Sequence, residues 1–242
     1  MPLPRLVNPE TLDHLAENDP LAIGSRRDLR RVNRIMGSGA ILLKAIKRLP
    51  QSPKRILELG AGDGSLMLDI ANKLAKQWPN VQLTLLDRQN LVSEQTIRAF
   101  HHLGWRVEIL QADVLDWIAH PVEMQWDLSI TNLFVHHFEG DELSNLLAGI
   151  AARTQYFIAC EPRRAWLPLA GSHLIGLLGT NAVTREDAVL SVHAGFRDHE
   201  LSALWPQQEH QQNWWLTEYA AGLFSHCLFA VNQQPHIHAN TL

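Results

Sequence analysis

Ile56-Leu57-Glu58-Leu59-Gly60-Ala61-Gly62-Asp63-Gly64-Ser65-Leu66 joins an apolar run to an amphipathic one through three glycines at alternate positions, and no other stretch constrains the fold as much. Lys54 to Leu59 reads as a buried parallel strand. From Ser65 the apolar residues Leu66, Ile70, Leu74 and Trp78 recur at four-residue steps and predict a helix. Strand, glycine turn and helix in that order are one unit of a doubly wound α/β sheet. Glycine lets the backbone take positive φ and lets a ligand rest against the main chain, where the free N–H groups of a helix N-terminus point outward. The turn therefore predicts a nucleotide-like cofactor.

Spacing narrows the choice. A dinucleotide fingerprint reads G-x-G-x-x-G, with an acid for the ribose about 20 residues further on. Here the loop reads E-x-G-x-G-x-G, and the next acid at a strand end, Asp87, stands 27 residues beyond Gly60. No G-K-[ST] follows to cradle phosphates. With a carboxylate, Glu58, ahead of the glycines, the site suits a ligand that carries a cationic amine and a ribose. Glu58 to Gly64 resembles motif I of the class I S-adenosylmethionine-dependent methyltransferases, and the resemblance runs from about Lys54 to Pro162.

That resemblance implies a Rossmann-like fold, with a seven-stranded, mostly parallel sheet and S-adenosylmethionine across its carboxyl ends. It implies cofactor contacts at Glu58, Gly60, Ala61, Gly62 and Gly64. Asp87 takes the place of the acid that accepts both ribose hydroxyls, with Arg88 beside it. Asp113 takes that of the acid facing the adenine amino group, with Val114 offering its amide and an apolar wall. Asn132 and Leu133 end the strand that stops beside the sulfonium.

The remaining elements follow from local signals. Ser93 is an N-cap and Gly104 a C-terminal stop for a helix between them. Arg106–Leu110, Trp126–Leu133 and Gln155–Pro162 read as strands, with Asp127 capping the start of the second. Short apolar pieces after Arg163 predict helices over the mouth of the site, and Leu223–Val231 reads as a long antiparallel last strand preceded by one at Asn213–Glu218. The expected organisation is a helical lid over residues 1–50, the cofactor-binding domain over 51–232 and a loose tail over 233–242. His236 and His238 in that tail could bind a metal, yet a two-histidine tail is more often without one, and no resident metal is expected.

Composition agrees. With 242 residues, 46% of them hydrophobic, and a net charge of −4, the chain can bury one sizeable core. Cys160 and Cys227 lie in apolar segments, and no apolar run follows a basic N-terminal stretch, so a reducing cytoplasm is expected. No apolar run approaches the roughly 20 residues of a spanning helix. Residues 1–55 hold 11 Lys and Arg against 5 Asp and Glu. Most of the excess sits on one helix, predicted to start at a Ser25/Asp28 cap, with Leu29, Val32, Ile35 and Met36 on one stripe and five arginines, Arg26, Arg27, Arg30, Arg31 and Arg34, on the other faces. That basic face is either simply solvated or pairs with an anion, such as the methionyl carboxylate of the cofactor. Gly37-Ser38-Gly39 separates it from a second helix at Ala40–Leu49, as a lid hinge would.

The chemistry is expected at Asn132-Leu133-Phe134-Val135-His136-His137-Phe138. Methyl transfer from a sulfonium needs only a positioned, deprotonated nucleophile. A phenol, with a pKa near 10, needs a base, and histidine, near 6.5, is the natural one. In the resembling O-methyltransferases a histidine just after the fourth strand takes that part, and His136 and His137 both match it. The Asn/Asp-Pro-Pro-aromatic motif of amine methylation is missing, and neither a basic domain nor an RNA module is present, so no nucleic-acid substrate is expected. Phe134, Trp166 and His173 are the expected acceptor contacts, and Trp214 and Trp215 are either further walls or core packing. The expected reaction is O-methylation of a phenolic, polyketide or quinone-type metabolite, by a protein for which a homodimer is one option. A C- or N-methyltransferase, or a non-catalytic cofactor-binding subunit, are the alternatives.

Overall fold

A computed structural model of the chain describes residues 3–122, 124–206 and 214–233. The N-terminal part is helical: α1 (Thr11–His14), α2 (Pro20–Met36) and α3 (Ser38–Ile46). Strands and helices then alternate through β1 (Arg55–Leu59), α4 (Ser65–Leu74), β2 (Gln82–Asp87), α5 (Glu94–His102), β3 (Arg106–Gln111), α6 (Val114–Ala119), β4 (Trp126–Asn132), α7 (Gly140–Ala151) and β5 (Thr154–Pro162). Helices α8 (Trp166–Leu174), α9 (Ala182–Ala194) and α10 (Glu200–Leu204) precede the closing pair β6 (Trp214–Ala221) and β7 (Ser225–Asn232).

The strands form one seven-stranded sheet in the order β3-β2-β1-β4-β5-β7-β6. Contacts from β3 to β5 are parallel, and β7 runs antiparallel to both of its neighbours. The order reverses between β1 and β4, which opens a crevice at their carboxyl ends where α/β sheets bind ligands. This is the doubly wound, mostly parallel sheet expected from the glycine turn. Alternate residues of each strand face two separate cores. Ile56, Leu128 and Ile158 pack with Leu42 and Ile46 of α3, Met67 and Ile70 of α4, and Trp105. Leu57, Phe157 and Ala159 pack with Leu143 and Leu147 of α7, and with Trp205. Both faces of the sheet are therefore dry, which a parallel sheet requires.

Several boundaries differ from those predicted, each for a local reason. Helix α2 begins at Pro20, where a fixed φ and a missing N–H suit the first helical position, and Asp19 caps it by accepting from Leu21 N at 2.7 Å. Ser25 and Asp28 are thus no cap but lie buried inside the helix. A single left-handed residue, Gly37, ends α2, so α3 starts at Ser38 with no intervening loop. Helix α4 stops at Leu74, and its core face is Met67, Ile70, Ala71 and Leu74; Trp78 is buried beyond it. The Ser93 cap and the Gly104 stop stand as expected. Asp127 accepts from Lys54 N and Arg55 N and so caps the start of β1 as well as opening β4. The tail with His236 and His238 lies outside the described residues, and so does Asn213. No helix among the described residues is long and apolar enough to cross a membrane.

Two buried aspartates, one on each side of an interface, tie the N-terminal helices to α9. Asp28 accepts from Asn181 N at 2.9 Å and from the Thr184 hydroxyl at 3.3 Å. Asp187 accepts from Thr11 N at 2.8 Å and Leu12 N at 3.0 Å. Replacing Asp28 by alanine strands two buried donors, an expected cost of about 1–3 kcal/mol. Hydrogen exchange should quicken along α2 in that variant while β1 and β4 stay protected. Unchanged exchange in α2 would show that Asp28 does not anchor the helix.

Candidate active site

The glycine loop takes the conformation its sequence demands. Gly60, Gly62 and Gly64 all have positive φ, and the amides of Gly60 and Ala61 donate to Leu86 O at the end of β2. At Gly60 an added Cβ would stand 2.3 Å from the ring of Phe134, so only glycine permits the approach of the loop that follows β4. Asp87 is oriented by the same loop: its Oδ2 accepts from Gly62 N at 2.8 Å and its Oδ1 from Gln89 N at 2.9 Å. Arg88 is exposed and donates to Asp13 O, which ties the segment after β2 to α1. Asp113 is exposed and caps α6 through Leu115 N, with Val114 buried behind it.

Two acceptors at the switch point stand out. Glu58 Oε2 and Asn132 Oδ1 are buried without a hydrogen-bond partner among the described residues. They lie at the carboxyl ends of the adjacent strands β1 and β4. Burial pushes the Glu58 carboxyl well above the usual carboxylate range, and the charges of Asp87 and Asp63 add to it. A cationic donor is what such a pair of acceptors lacks. An ammonium group would supply it.

Part of the basic face of α2 closes over this crevice. Arg30 pairs with Asp63 of the glycine loop at 2.6 Å, and Arg26 donates to Gln89 Oε1 at 2.9 Å. Arg27, Arg31 and Arg34 remain exposed, the solvated alternative.

Beyond β4 the chain turns sharply. Leu133 adopts φ 52°, a left-handed conformation that costs a non-glycine residue about 1–2 kcal/mol. A short 3₁₀ turn, Val135–His137, follows. The carboxylate of Glu161, fully buried near the end of β5, holds this turn. It accepts from Phe134 N at 3.0 Å, Val135 N at 3.2 Å and His136 N at 3.4 Å, and from His136 Nδ1 at 2.8 Å. On its other side, His136 Nε2 lies 3.4 Å from Oε1 of Glu10, which also accepts from the Ser191 hydroxyl. Burial alone would lower the His136 pKa, but hydrogen bonds to Glu10 and Glu161 and their charges outweigh it and push it up to about 9. Burial and the charge of His136 lower the pKa of His137 instead. His137 stacks obliquely on His136 at 4.2 Å between ring centres and has Asp13 Oδ2 3.4 Å from its Nδ1.

Glu10 and Ser191 mark the polar end of a cavity of about 330 Å³. Leu29 and Val32 of α2, Leu133, Leu178, Val192 of α9 and Phe224 supply apolar walls. Trp166 and His173 are not among its lining residues. They sit on the outer side of α8 and are exposed, whereas Pro168, Gly171 and Ser172 of the same helix face inward. Phe134 is no wall either, since it packs over Gly60 and edge-on to Phe138. Trp214 packs against Trp205, and Trp215 is half exposed. Glu161 and Glu10 are the residues that sequence reasoning missed. An acid next to Pro162 at the end of the apolar run Tyr156–Cys160 was the available signal for Glu161; Glu10 offered none.

Residues 56–155 match the family described as a methyltransferase domain. The fold also matches solved structures. The plantazolicin methyltransferase BpumL in complex with SAH (S-adenosylhomocysteine) superposes with a TM-score of 0.61 at 14% identity, over 89% of this chain and 92% of that one. The plantazolicin methyltransferase BamL, in complex with a triazolic desmethylPZN analog and SAH, gives 0.63 at 11% identity over 93% and 94%. The mitomycin 7-O-methyltransferase MmcR gives 0.54 at 19% identity, over 91% of this chain and 60% of that one. Residues 56–155 thus match a methyltransferase domain, and the chain shares the fold of these methyltransferases. Among curated protein sequences none matches significantly. The two plantazolicin enzymes hold SAH, the demethylated product of S-adenosylmethionine, and the unpartnered acceptors at Glu58 and Asn132 would suit the cationic end of such a ligand.

The raised Glu58 pKa gives a signed expectation. Unfolded, Glu58 loses its proton in the ordinary carboxylate range; folded and without cofactor, it keeps the proton to higher pH. Its contribution to stability is thus complete at low pH and falls as pH rises toward the raised value. Binding of an ammonium reverses the preference and expels the proton. Calorimetry of SAH binding in buffers of different ionisation enthalpy should therefore detect proton release that vanishes in Glu58→Gln. Equal enthalpies in every buffer for the wild-type protein would contradict the assignment of Glu58.

Proposed function

We propose that this methyltransferase O-methylates a small, mainly apolar acceptor, of the phenolic, polyketide or quinone type, held in the cavity under α2, α8 and α9. The observation that carries the reading is the line Glu161–His136–Glu10, of which Glu10 lines the cavity and the buried His136 stands behind it. When bound, the cofactor supplies an electrophilic methyl group, so this chain's residues need only place a hydroxyl oxygen and take its proton. Nδ1 of His136 donates to Glu161, which orients the ring and points Nε2 at Glu10 in the cavity wall. Of the two histidines open at the outset, this reading takes His136 as the base, since it is the one oriented by Glu161. Its carboxylate partners push its pKa up to about 9, so near neutral pH the ring holds both protons and serves as a base only once Nε2 has given its proton up; turnover should therefore rise with pH toward 9. His137 packs on it and supports its ring.

The apolar walls favour a ring or chain with few polar groups. Proteins of the same fold named for plantazolicin and mitomycin methylation are consistent with a small natural-product acceptor. The N-terminal helices, tied to α9 by Asp28 and Asp187, serve as the lid over both ligands.

The test is a variant that keeps size and polarity. His136→Asn should lower turnover with phenolic acceptors by roughly 10²- to 10⁴-fold while SAH affinity stays within about twofold, because the ring acts on the acceptor alone. Full activity in His136→Asn, or a wild-type enzyme that accepts only amines or carbon nucleophiles from a broad panel, would overturn the proposal.

A further inference from the structure

Glu10, His136 and His137 each offer a ligand atom, and these atoms all lie within 4.8 Å of one another. We propose that they bind one divalent transition-metal ion, such as Zn²⁺, at the polar end of the acceptor cavity. Two histidines and one carboxylate with a further position open is a donor set that suits such ions. The distance between His136 Nε2 and Glu10 Oε1 supports an ion more than a direct bond. A charge-assisted N–H···O contact closes to about 2.7–2.9 Å, yet these atoms stand 3.4 Å apart. Ligands about 2.0–2.1 Å from a tetrahedral ion stand about 3.3 Å from each other.

The outer shell matches as well. Metal-bound imidazoles characteristically have a carboxylate or carbonyl on the second ring nitrogen. Glu161 Oε2 stands 2.8 Å from His136 Nδ1, and Asp13 Oδ2 stands beside His137 at 3.4 Å. Glu161 is further held by three backbone amides, so the His136 ring is preset. Glu10 lines the cavity, so the site borders it there. No short-range motif announces the site, since Glu10 precedes His136 by 126 positions.

The site goes beyond the methyl-transfer reading and is independent of it. Ion and proton compete for Nε2 of His136, so the loaded protein has lost the proposed base and a chelator should raise activity. Binding of the ion without inhibition would leave the metal site standing and remove His136 as the base.

The test is direct. Chelator-treated, full-length protein titrated with Co²⁺ should develop the visible d–d bands of a low-coordinate site, saturating at one ion per chain and bleached by one equivalent of Zn²⁺. Glu10→Gln and His137→Ala should each weaken the ion by at least 100-fold, and Glu161→Gln by 10- to 100-fold, the usual range for an outer-shell partner. SAH binding in the same samples reports that each variant is folded, and Glu10→Gln, outside the sheet, is decisive. Absence of the bands at one equivalent in wild-type protein would overturn the proposal. So would equal affinity in Glu10→Gln, or binding that disappears only when His236 and His238 are replaced.

Discussion

The buried carboxylate of Glu161 is the interaction on which the rest of the site depends. Removing an ionised group from water costs several kcal/mol and is tolerated only when its lone pairs are filled. Here they are filled by three successive backbone amides, Phe134 to His136, by the His136 ring and by the Thr131 hydroxyl. One side chain on β5 thereby dictates the path of the chain leaving β4. The left-handed Leu133 is the cost of that path: without it the amides of the next three residues would not converge on one point.

From this turn the two halves of the site are coupled. Phe134 is carried over Gly60, so the loop after β4 and the cofactor loop after β1 pack as one unit. His136 is carried the other way, toward Glu10 and the cavity, and Arg5 locks the end of the turn by donating to the carbonyls of His136 and Phe138. The N-terminal segment thus meets the site twice, through Arg5 and through Glu10. Its helices form the cavity roof because Asp28 and Asp187 fasten them to α9, far away in sequence. A cofactor at the switch point and an acceptor beneath that roof would meet at the carboxyl ends of β4 and β5, where Leu133 and Pro162 line the cavity floor.

The sheet was legible because its signals are local. Gly60 to Gly64 had to be a turn, Ser93 and Gly104 bracketed a helix, and apolar runs such as Leu83–Leu86 could only be buried strands. The acceptor side was not, because its geometry comes from contacts between distant positions. Trp166 and His173 looked like ligand contacts by residue type, but the face of α8 that turns inward carries Pro168, Gly171 and Ser172. Ser25 and Asp28 have the spacing of a cap, yet Pro20 starts the helix a turn and a half earlier and leaves them free to bond α9. Nothing within twenty residues of Glu10 indicates that it ends beside His136. That pairing exists only once α1 and α9 are docked.

Glu161 is claimed to hold the turn and to present Nε2 of His136 to Glu10, and the ring itself can report this. Nitrogen-15 NMR of histidine-labelled protein should show His136 with Nδ1 protonated and its proton shifted far downfield by the bond to Glu161, a signal that is lost in Glu161→Gln while SAH still binds. A wild-type His136 unprotonated at Nδ1, or the same ring signals in both proteins, would contradict it.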